Sequence, residues 1–347
     1  MTMVAPGGNN TFVPTFEQKR SLIIDFARKP SSFPVNRYTQ VVPNAPTVGL
    51  YLNLDIAAAG RISATGLEVD WPDGAQRPSG VDGTADHEFL PYTTRRKNFG
   101  FTLGQLGVEN AAWDNVERHA RIQQQKAMTH RATRAISVAT TSGNYAASNL
   151  IDVTTISGDT SRWGASTVAR STIRKSINAA VKQIHKATLG AVKKKDLQLV
   201  IGPDCAQQIS ECQEVVDFIA KSPFALASLK GEAMNDNPNV DYDLPKYLFG
   251  VELVIEDTVR VTSKPGATLA SSYVLAGDTP FITARPGGIE GKYGAPSFST
   301  ITCFAHEEMN VEAKTDTWNK LIDGAVSENW VYVMTAPATG ILFSNAI

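Results

Sequence analysis

The feature that most constrains the fold is a long stretch without helix-breaking residues. Residues 110–140 contain neither glycine nor proline, with acidic side chains near the start and arginines near the end. This order of charges complements the dipole of an α-helix. At a rise of about 1.5 Å per residue, a helix of this span is roughly 45 Å long.

The apolar stripe of this helix is narrow and made mostly of small residues, and the polar run Gln123-Gln124-Gln125 lies beside it. The stripe consists of Trp113, Val116, Ala120, Ala127, Met128, Ala132, Ala135, Ile136 and Ala139. Such a stripe covers little apolar area, so we expect a strut that lies against other surfaces and not a helix at the centre of a core.

The segments before the helix have little apolar surface of their own. Residues 1–45 are rich in proline, asparagine, serine and threonine, with one apolar burst at 22–24. Prolines between positions 30 and 46 exclude a long helix there, so we predict an extended N-terminal arm. In residues 46–103, predicted strands at 49–54 and 99–103 flank a glycine-rich stretch at 57–86. A structureless loop of that length is uncommon, so it is either disordered or a projecting hairpin that a neighbouring subunit supports.

A helix–strand–helix unit follows the strut. Its first helix has an apolar face at 173, 177, 181 and 184 and ends at Gly190. Residues 197–201 predict a short buried strand, and Gly202-Pro203-Asp204 predicts the start of a second helix. The inner face of that helix is predicted to consist of Cys205, Ile209, Cys212, Val216 and Ile219. Further strands are predicted at 251–256, 272–276, 281–284, 300–304, 309–313 and 330–334, which makes the chain α+β.

Charge and cysteine usage exclude several classes of protein. Lys and Arg number 33 against 34 Asp and Glu, whereas a protein that grips DNA over many phosphates needs positive charge in surplus, at least locally. No secretory signal or apolar run long enough to span a membrane is visible, so we expect assembly in a cytoplasm without a membrane partner. Cys205 and Cys212 lie about 10 Å apart on a continuous helix and cannot form a disulfide. The cysteines are therefore predicted to be reduced core thiols.

The sequence lacks the common motifs of catalytic sites. The chain has neither a phosphate-binding loop nor a nucleophile elbow, and the glycine-rich residues 287–293 have the wrong spacing and predict a turn. His119 and His130 lie on the predicted strut, but a catalytic zinc site takes three protein ligands. We therefore interpret them as packing contacts, and we expect no enzyme activity, cofactor or metal.

Basic residues are the candidates for contacts between molecules. Arg95-Arg96-Lys97 lies between the glycine-rich stretch and the strut, where intersubunit salt bridges and a solvated strand end both remain open. Arg118 and Arg121 on the strut complete the set of candidate intersubunit contacts. The run Lys193-Lys194-Lys195 predicts a solvated charged turn.

The order of these segments resembles the major capsid proteins of tailed bacteriophages, which have the Hong Kong 97-like fold. Residues 92–134, with Phe99-Gly100-Phe101 leading into the polar helix, resemble the family's passage from extended loop to spine helix. Asn144-Tyr145-Ala146 followed by Trp163 is similar to the exit from the spine. Residues 199–204, with Val215 and Ile219 downstream, resemble the strand-to-helix step of the axial domain. Residues 330–333 and 340–343 look like the final strands that return to the peripheral domain.

The resemblance implies a domain organisation. It implies an N-terminal arm (1–45), an extended loop or β-hairpin region (46–103), the spine helix of the peripheral domain (104–150), a mixed α/β axial domain (151–297) and closing strands of the peripheral domain (298–347). The stretch at 51–90 contains no lysine, so the cross-link between a loop lysine and an asparagine found in some family members is not expected. Because the arm is short, we expect a separate scaffolding protein and not a built-in scaffolding domain.

The resemblance also implies function and partners. It implies self-assembly into hexamers and pentamers that form the icosahedral head around double-stranded DNA, in a virion assembled in the host cytoplasm. Implied partners are other copies of the chain, a portal protein, a separate scaffolding protein and packaged DNA held non-specifically. A decoration protein is an optional further partner. An encapsulin-type shell is the alternative, although the polar arm favours the phage interpretation. An α/β enzyme is a second alternative, but it lacks a motif and leaves arm, loop and strut unexplained.

Overall fold

The computed structural model describes residues 28–54, 73–74, 87–111, 114–156, 162–221, 237–264, 266–287 and 299–347. Several predictions concern residues outside these ranges: the apolar burst at 22–24, Trp113, nearly all of the glycine-rich stretch at 57–86, and most of the turn at 287–293.

The described helices and strands follow one another in a mixed order. The helices are α1 (Val35–Tyr38), α2 (Gln105–Glu109), α3 (Asn115–Thr140), α4 (Val153–Ile156), α5 (Thr172–Ala187), α6 (Pro203–Glu211) and α7 (Gln213–Lys221). The strands are β1 (Gln40–Val42), β2 (Val48–Leu54), β3 (His87–Thr93), β4 (Arg95–Gly104), β5 (Leu150–Asp152), β6 (Leu197–Ile201), β7 (Tyr247–Leu248), β8 (Val251–Ile255), β9 (Val259–Val261), β10 (Ser271–Tyr273), β11 (Phe281–Ala284), β12 (Ile301–Asp316), β13 (Leu321–Met334) and β14 (Ile341–Ser344).

The strands form two larger sheets and two hairpins. The first larger sheet has the order β1-β12-β13-β4, and the second has the order β5-β14-β11-β6-β8-β7. The hairpins are β2-β3 and β9-β10. Both larger sheets mix parallel and antiparallel pairs, such as β6 with β8 (parallel) and β6 with β11 (antiparallel). The predicted α+β class is therefore confirmed.

The six-stranded sheet packs on α5, α6 and α7. Ile173, Ile177 and Ile184 of α5 are fully buried in this core, as the periodicity predicts. Alternate residues of β6, such as Leu199 and Ile201, point into the same core, whereas Val200 points into a second core on the opposite face. The sheet is thus buried on both faces, which explains its continuous apolar strands.

The predicted second helix of this unit is two helices. Cys212 has an extended backbone (φ −73°, ψ 140°) that separates α6 from α7. The one-residue interruption changes the helical phase, so Val215 is buried and Val216 is exposed. The prediction of Val216 on the inner face is therefore wrong. Cys205 and Cys212 are buried free thiols, as is Cys303, and this part of the prediction is confirmed.

The long helix α3 begins later than predicted. Asp114 caps it by accepting a hydrogen bond of 2.8 Å from the backbone N–H of Glu117, and residues 105–109 form the separate helix α2. The 26 residues of α3 span about 39 Å. The described stripe is confirmed in that Ala120, Ala127, Met128, Ala132, Ala135, Ile136 and Ala139 are buried, while Val116 is partly buried.

The four-stranded sheet lies against α3. Two strands predicted at 300–304 and 309–313 are one 16-residue strand, β12, with irregular pairing between Ala305 and Asn310. The predicted strand at 330–334 is the end of β13, which has 14 residues. The polar run at 306–308 suggests an interruption in the sequence. In the structure β12 nevertheless continues through residues 306–308, because their polar side chains lie at the surface of the sheet.

Two terminal segments differ from expectation. Residues 33–42 of the predicted arm belong to the subunit's own core, because Phe33, Val35 and Tyr38 are buried against α3 and β1 pairs in parallel with β12. At the other end, β14 pairs with β11 and β5 in the six-stranded sheet. It does not return to the sheet of β12 and β13, because Ile341 and Phe343 fill the core beneath α5.

Candidate assembly surfaces

The hairpin β2-β3 has one face that packs on the subunit. Tyr92 stacks on Phe304 with ring centroids 4.0 Å apart, and Tyr51 lies 6.0 Å from the same ring. The Tyr92 ring also lies over Gly49, so that a Cβ at this position would collide with it. The hairpin is thus fixed at its base by aromatic contacts.

The opposite face of this hairpin is apolar and exposed. Val48 is 67% exposed, Leu50 63% and Phe89 60%, and the pairing of Leu50 with Pro91 places them on one side. Because a two-stranded hairpin is marginally stable in water, an exposed apolar face of this kind marks a surface for another molecule. We call Val48, Leu50, Phe89 and Pro91 together the outer hairpin face.

The hairpin β9-β10 forms a similar surface. Val259 pairs with Tyr273 and Val261 with Ser271, and all the residues of both strands are exposed. Leu269, in the connection between the strands, is exposed as well. This hairpin carries apolar side chains that the described part of the chain leaves in solvent.

The turn between β12 and β13 presents an aromatic side chain. Trp318 is 91% exposed. The carboxylate of Asp316 accepts hydrogen bonds from the backbone N–H groups of Trp318 (2.9 Å) and Asn319 (3.2 Å) and from the Asn319 side chain (2.7 Å). These bonds, that of the Asn319 side chain foremost, lower the pKa of Asp316. The turn therefore holds Trp318 in solvent on an ordered support, and we call it the sheet tip.

Of the predicted contact residues on β4, the arginines and the lysine differ in environment. Arg95 and Arg96 are exposed, and Arg96 Nη2 lies 3.8 Å from Glu307 Oε2. Lys97 points to the face of β4 opposite to Arg96. Its Nζ lies 3.6 Å from the centre of the Trp330 ring and donates to the carbonyl oxygens of Trp330 and Arg95. Burial lowers the pKa of Lys97 to about 8. The ammonium of Lys97 is therefore engaged within the subunit.

The two predicted residues on α3 lie elsewhere. Arg121 pairs with Glu117 at 2.5 Å on the exposed side of the helix, a type of contact that contributes little to stability. Arg118 is partly buried, and within the described residues its Nε has no hydrogen-bond partner. His119, next to Arg118 on α3, stacks on Phe101 of β4. Phe101 lies six residues, or about 20 Å, along β4 from Arg95. The structure thus does not bring Arg118 and Arg121 together with Arg95 and Arg96.

The histidines on α3 are packing residues, as predicted. His119 lies 5.8 Å from the Phe101 ring, and His130 lies between Phe99 (5.9 Å) and Trp330 (5.5 Å). Burial lowers the pKa of both imidazoles. Among the described residues no group of three or more side chains could hold a metal ion, and no described helix is long and apolar enough to cross a membrane.

The sequence interpretation missed the exposed apolar residues of the hairpins and the tip. For Trp318 one signal was available. Asp316 and Asn319 favour a turn, and a tryptophan within a turn is expected at the surface and not in the core. For Val48 and Leu50 no such signal exists, since alternating apolar residues also predict an ordinary buried strand face.

Comparisons with known proteins place the fold. No family model matches the sequence, and no curated protein matches it. A phage-related protein from Bordetella bronchiseptica matches with a TM-score of 0.58 at 16% identity, over 95% of both chains. The mature capsid of bacteriophage PhiM1 matches with a TM-score of 0.55 at 10% identity, over 97% of this chain and 94% of that one.

The capsid of the cyanophage P-SCSP1u matches with a TM-score of 0.53 at 10% identity, over 97% of this chain and 95% of that one. These likenesses extend over nearly the whole chain and nearly the whole of each neighbour. The chain therefore has the fold of these bacteriophage capsid proteins, as the order of its sequence segments predicts.

Proposed function

We propose that this protein is the major capsid subunit of a tailed bacteriophage, which assembles into hexamers and pentamers of an icosahedral head around double-stranded DNA. The observation that carries the proposal is the outer hairpin face, an exposed apolar surface on a hairpin whose other face packs on the subunit, in a chain with a capsid fold. In this function the chain is a structural component, and its surfaces bind other copies of itself.

The exposed apolar surfaces supply the driving force for assembly. Burying a large apolar side chain stabilises an interface by about 1.5–3 kcal/mol. Val48, Leu50, Phe89 and Trp318 each offer most of their surface for such burial. Since these residues lie on two separate elements, the β2-β3 hairpin and the sheet tip, one subunit has more than one surface for neighbours, as closed shells require.

The separation of the surfaces favours ring formation. The outer hairpin face, the β9-β10 hairpin and the sheet tip are different structures, so a contact between one of them and another part of a neighbour is heterologous. Heterologous contacts produce closed rings when the rotation between subunits closes, which is the geometry of hexamers and pentamers. Exposed Arg95, Arg96 and Arg121, with the partly buried Arg118, are proposed to form salt bridges at the edges of these contacts.

The remaining partners follow from the same function. We propose a portal protein at one vertex, a separate scaffolding protein during assembly in the host cytoplasm, and packaged DNA held without sequence preference. A decoration protein on the outside of the virion is a further proposed partner.

Light scattering after size-exclusion chromatography, with negative-stain electron microscopy, tests the proposal. The purified chain, with its scaffolding protein if needed, is expected to form capsomers or shells. The variant L50D/F89D is expected to remain a folded, smaller species, while the control V216D, which changes an exposed apolar residue on α7, assembles normally. A wild-type chain that stays a monomer even with the scaffold would overturn the proposal.

A further inference from the structure

One segment of the chain concentrates positive charge. Residues 160–195 contain nine of the 33 Lys and Arg residues and none of the 34 Asp and Glu residues. The rest of the chain is therefore acidic overall, and the even balance of the whole sequence conceals a local surplus. The segment includes α5 and the turn that follows it.

The cations of α5 lie on the side opposite to its core face. With about 100° between successive residues, Arg174, Lys175, Lys182 and Lys186 occupy an arc of roughly 120°. All four are exposed. From Arg174 to Lys186 the arc extends about 18 Å along the helix axis.

The turn after α5 extends this surface. Residues Lys194–Asp196 form a short 3-10 helix, and Lys194 Nζ donates a hydrogen bond of 3.1 Å to Asn178 Oδ1 of α5. Burial, and then the charge of Arg174, lower the pKa of Lys194, which agrees with two cations held close together. Lys193 and Lys195 on either side are exposed.

Among the described residues, no carboxylate forms a salt bridge with this surface. In the described ranges, the salt bridges of the chain involve none of its six exposed cations. These cations are Arg174, Lys175, Lys182, Lys186, Lys193 and Lys195. The nearest carboxylate in sequence, Asp196, accepts the backbone N–H of Lys193 at 3.2 Å. We call these six residues the basic surface.

We propose that the basic surface binds the phosphate backbone of double-stranded DNA without reading its sequence. The inference rests on the proposed function and adds to it the place where the subunit meets DNA. Duplex DNA carries one negative charge per about 1.7 Å of its axis, so several phosphates lie within the length of the arc. Protein interfaces are depleted in lysine and enriched in aromatic residues, whereas this arc presents lysine and arginine together with Asn178 and His185.

Fluorescence anisotropy with a labelled 30-base-pair duplex of random sequence tests this inference, using the full chain at a series of salt concentrations. The variant K175Q/K182Q/K186Q removes three cations of the basic surface. The control K126Q/K314Q/K320Q removes three exposed lysines elsewhere. We expect the variant to bind at least tenfold more weakly at 0.1 M salt, with a salt slope smaller by about 2.7. The control is expected to stay within twofold of the wild type.

Three results would overturn the inference: no binding of the duplex by the wild type, equal binding by wild type and variant, or equal losses in variant and control. Binding of a polyglutamate peptide without binding of DNA would also overturn it, and would point to an acidic protein partner. Electron microscopy of the same preparations separates the two proposals. Shells without DNA binding contradict only the basic surface, while a DNA-binding monomer that never assembles contradicts the proposed function.

Discussion

The contact between α3 and β13 depends on a buried ion pair, and removal of its arginine is the most informative change to the fold. Arg131 Nε lies 2.7 Å from Glu328 Oε2, the Glu328 side chain is fully buried, and Arg131 is nearly so. Breaking a buried pair by removing one partner costs about 3–5 kcal/mol, because a charge is left without compensation. Lys97 is also positive and close enough to Glu328 to interact with it, so we expect a loss at the lower end, about 3 kcal/mol, for Arg131→Met.

Urea denaturation of the unassembled subunit, followed by far-UV circular dichroism, measures this loss. The double variant R131M/E328L removes both charges and fills the space with apolar atoms, so its unfolding free energy is expected to lie within about 1.5 kcal/mol of the wild type. A single variant that loses less than about 1 kcal/mol would refute the reasoning. A double variant as unstable as the single one would refute it too, since packing and not charge would then explain the loss.

Other predictions concern separate parts of the chain. Burial raises the pKa of Glu256, which accepts hydrogen bonds from Tyr38 and Thr258; its contribution to stability is therefore present below the ordinary glutamate pKa and lost as pH rises through the raised value. Glu256→Gln is expected to remove this loss. The unfolding free energy of the variant minus that of the wild type, measured in urea, is therefore expected to be more favourable at pH 7.5 than at pH 4.5. An equal difference at both values would contradict the assignment. Trp318→Ala is expected to change the unfolding free energy by less than about 0.5 kcal/mol because the side chain is exposed, while the protein concentration needed for assembly rises at least tenfold in light scattering. Unchanged assembly would exclude a role for the tip. Gly324→Val is expected to cost about 1–3 kcal/mol in the same urea assay, because the Phe101 ring lies over Gly324; a neutral variant would show that the ring can move aside.

Local patterns predicted much of the fold. The spacing of Ile173, Ile177 and Ile184 identifies the buried side of α5 because a helix repeats every 3.6 residues, and the same periodicity identified the alanine stripe of α3. The order of charges near the two ends of α3 predicted that a long helix lies in this part of the chain. Its first residue was harder to place, because several residues before it are compatible with either helix or loop, and the cap at Asp114 sets the boundary.

Other features depend on contacts distant in sequence. No helix-breaking residue stands next to Cys212, yet its extended backbone shifts the phase of the following helix. Val215 is therefore in the core where the sequence pattern predicts Val216. Likewise, the partners of β14 are set by the fit of Ile341 and Phe343 beneath α5. The outer hairpin face was missed because an alternating strand looks the same in sequence whether its apolar side faces the chain's own core or another molecule.

A cryo-electron microscopy reconstruction of the assembled particles shows directly which surfaces of the subunit are buried between copies. We expect a closed icosahedral shell of this chain, in which Val48, Leu50 and Phe89 are buried against a neighbouring subunit. A shell in which these side chains remain in solvent, or a purified protein that forms no closed particle with its scaffold, would contradict it.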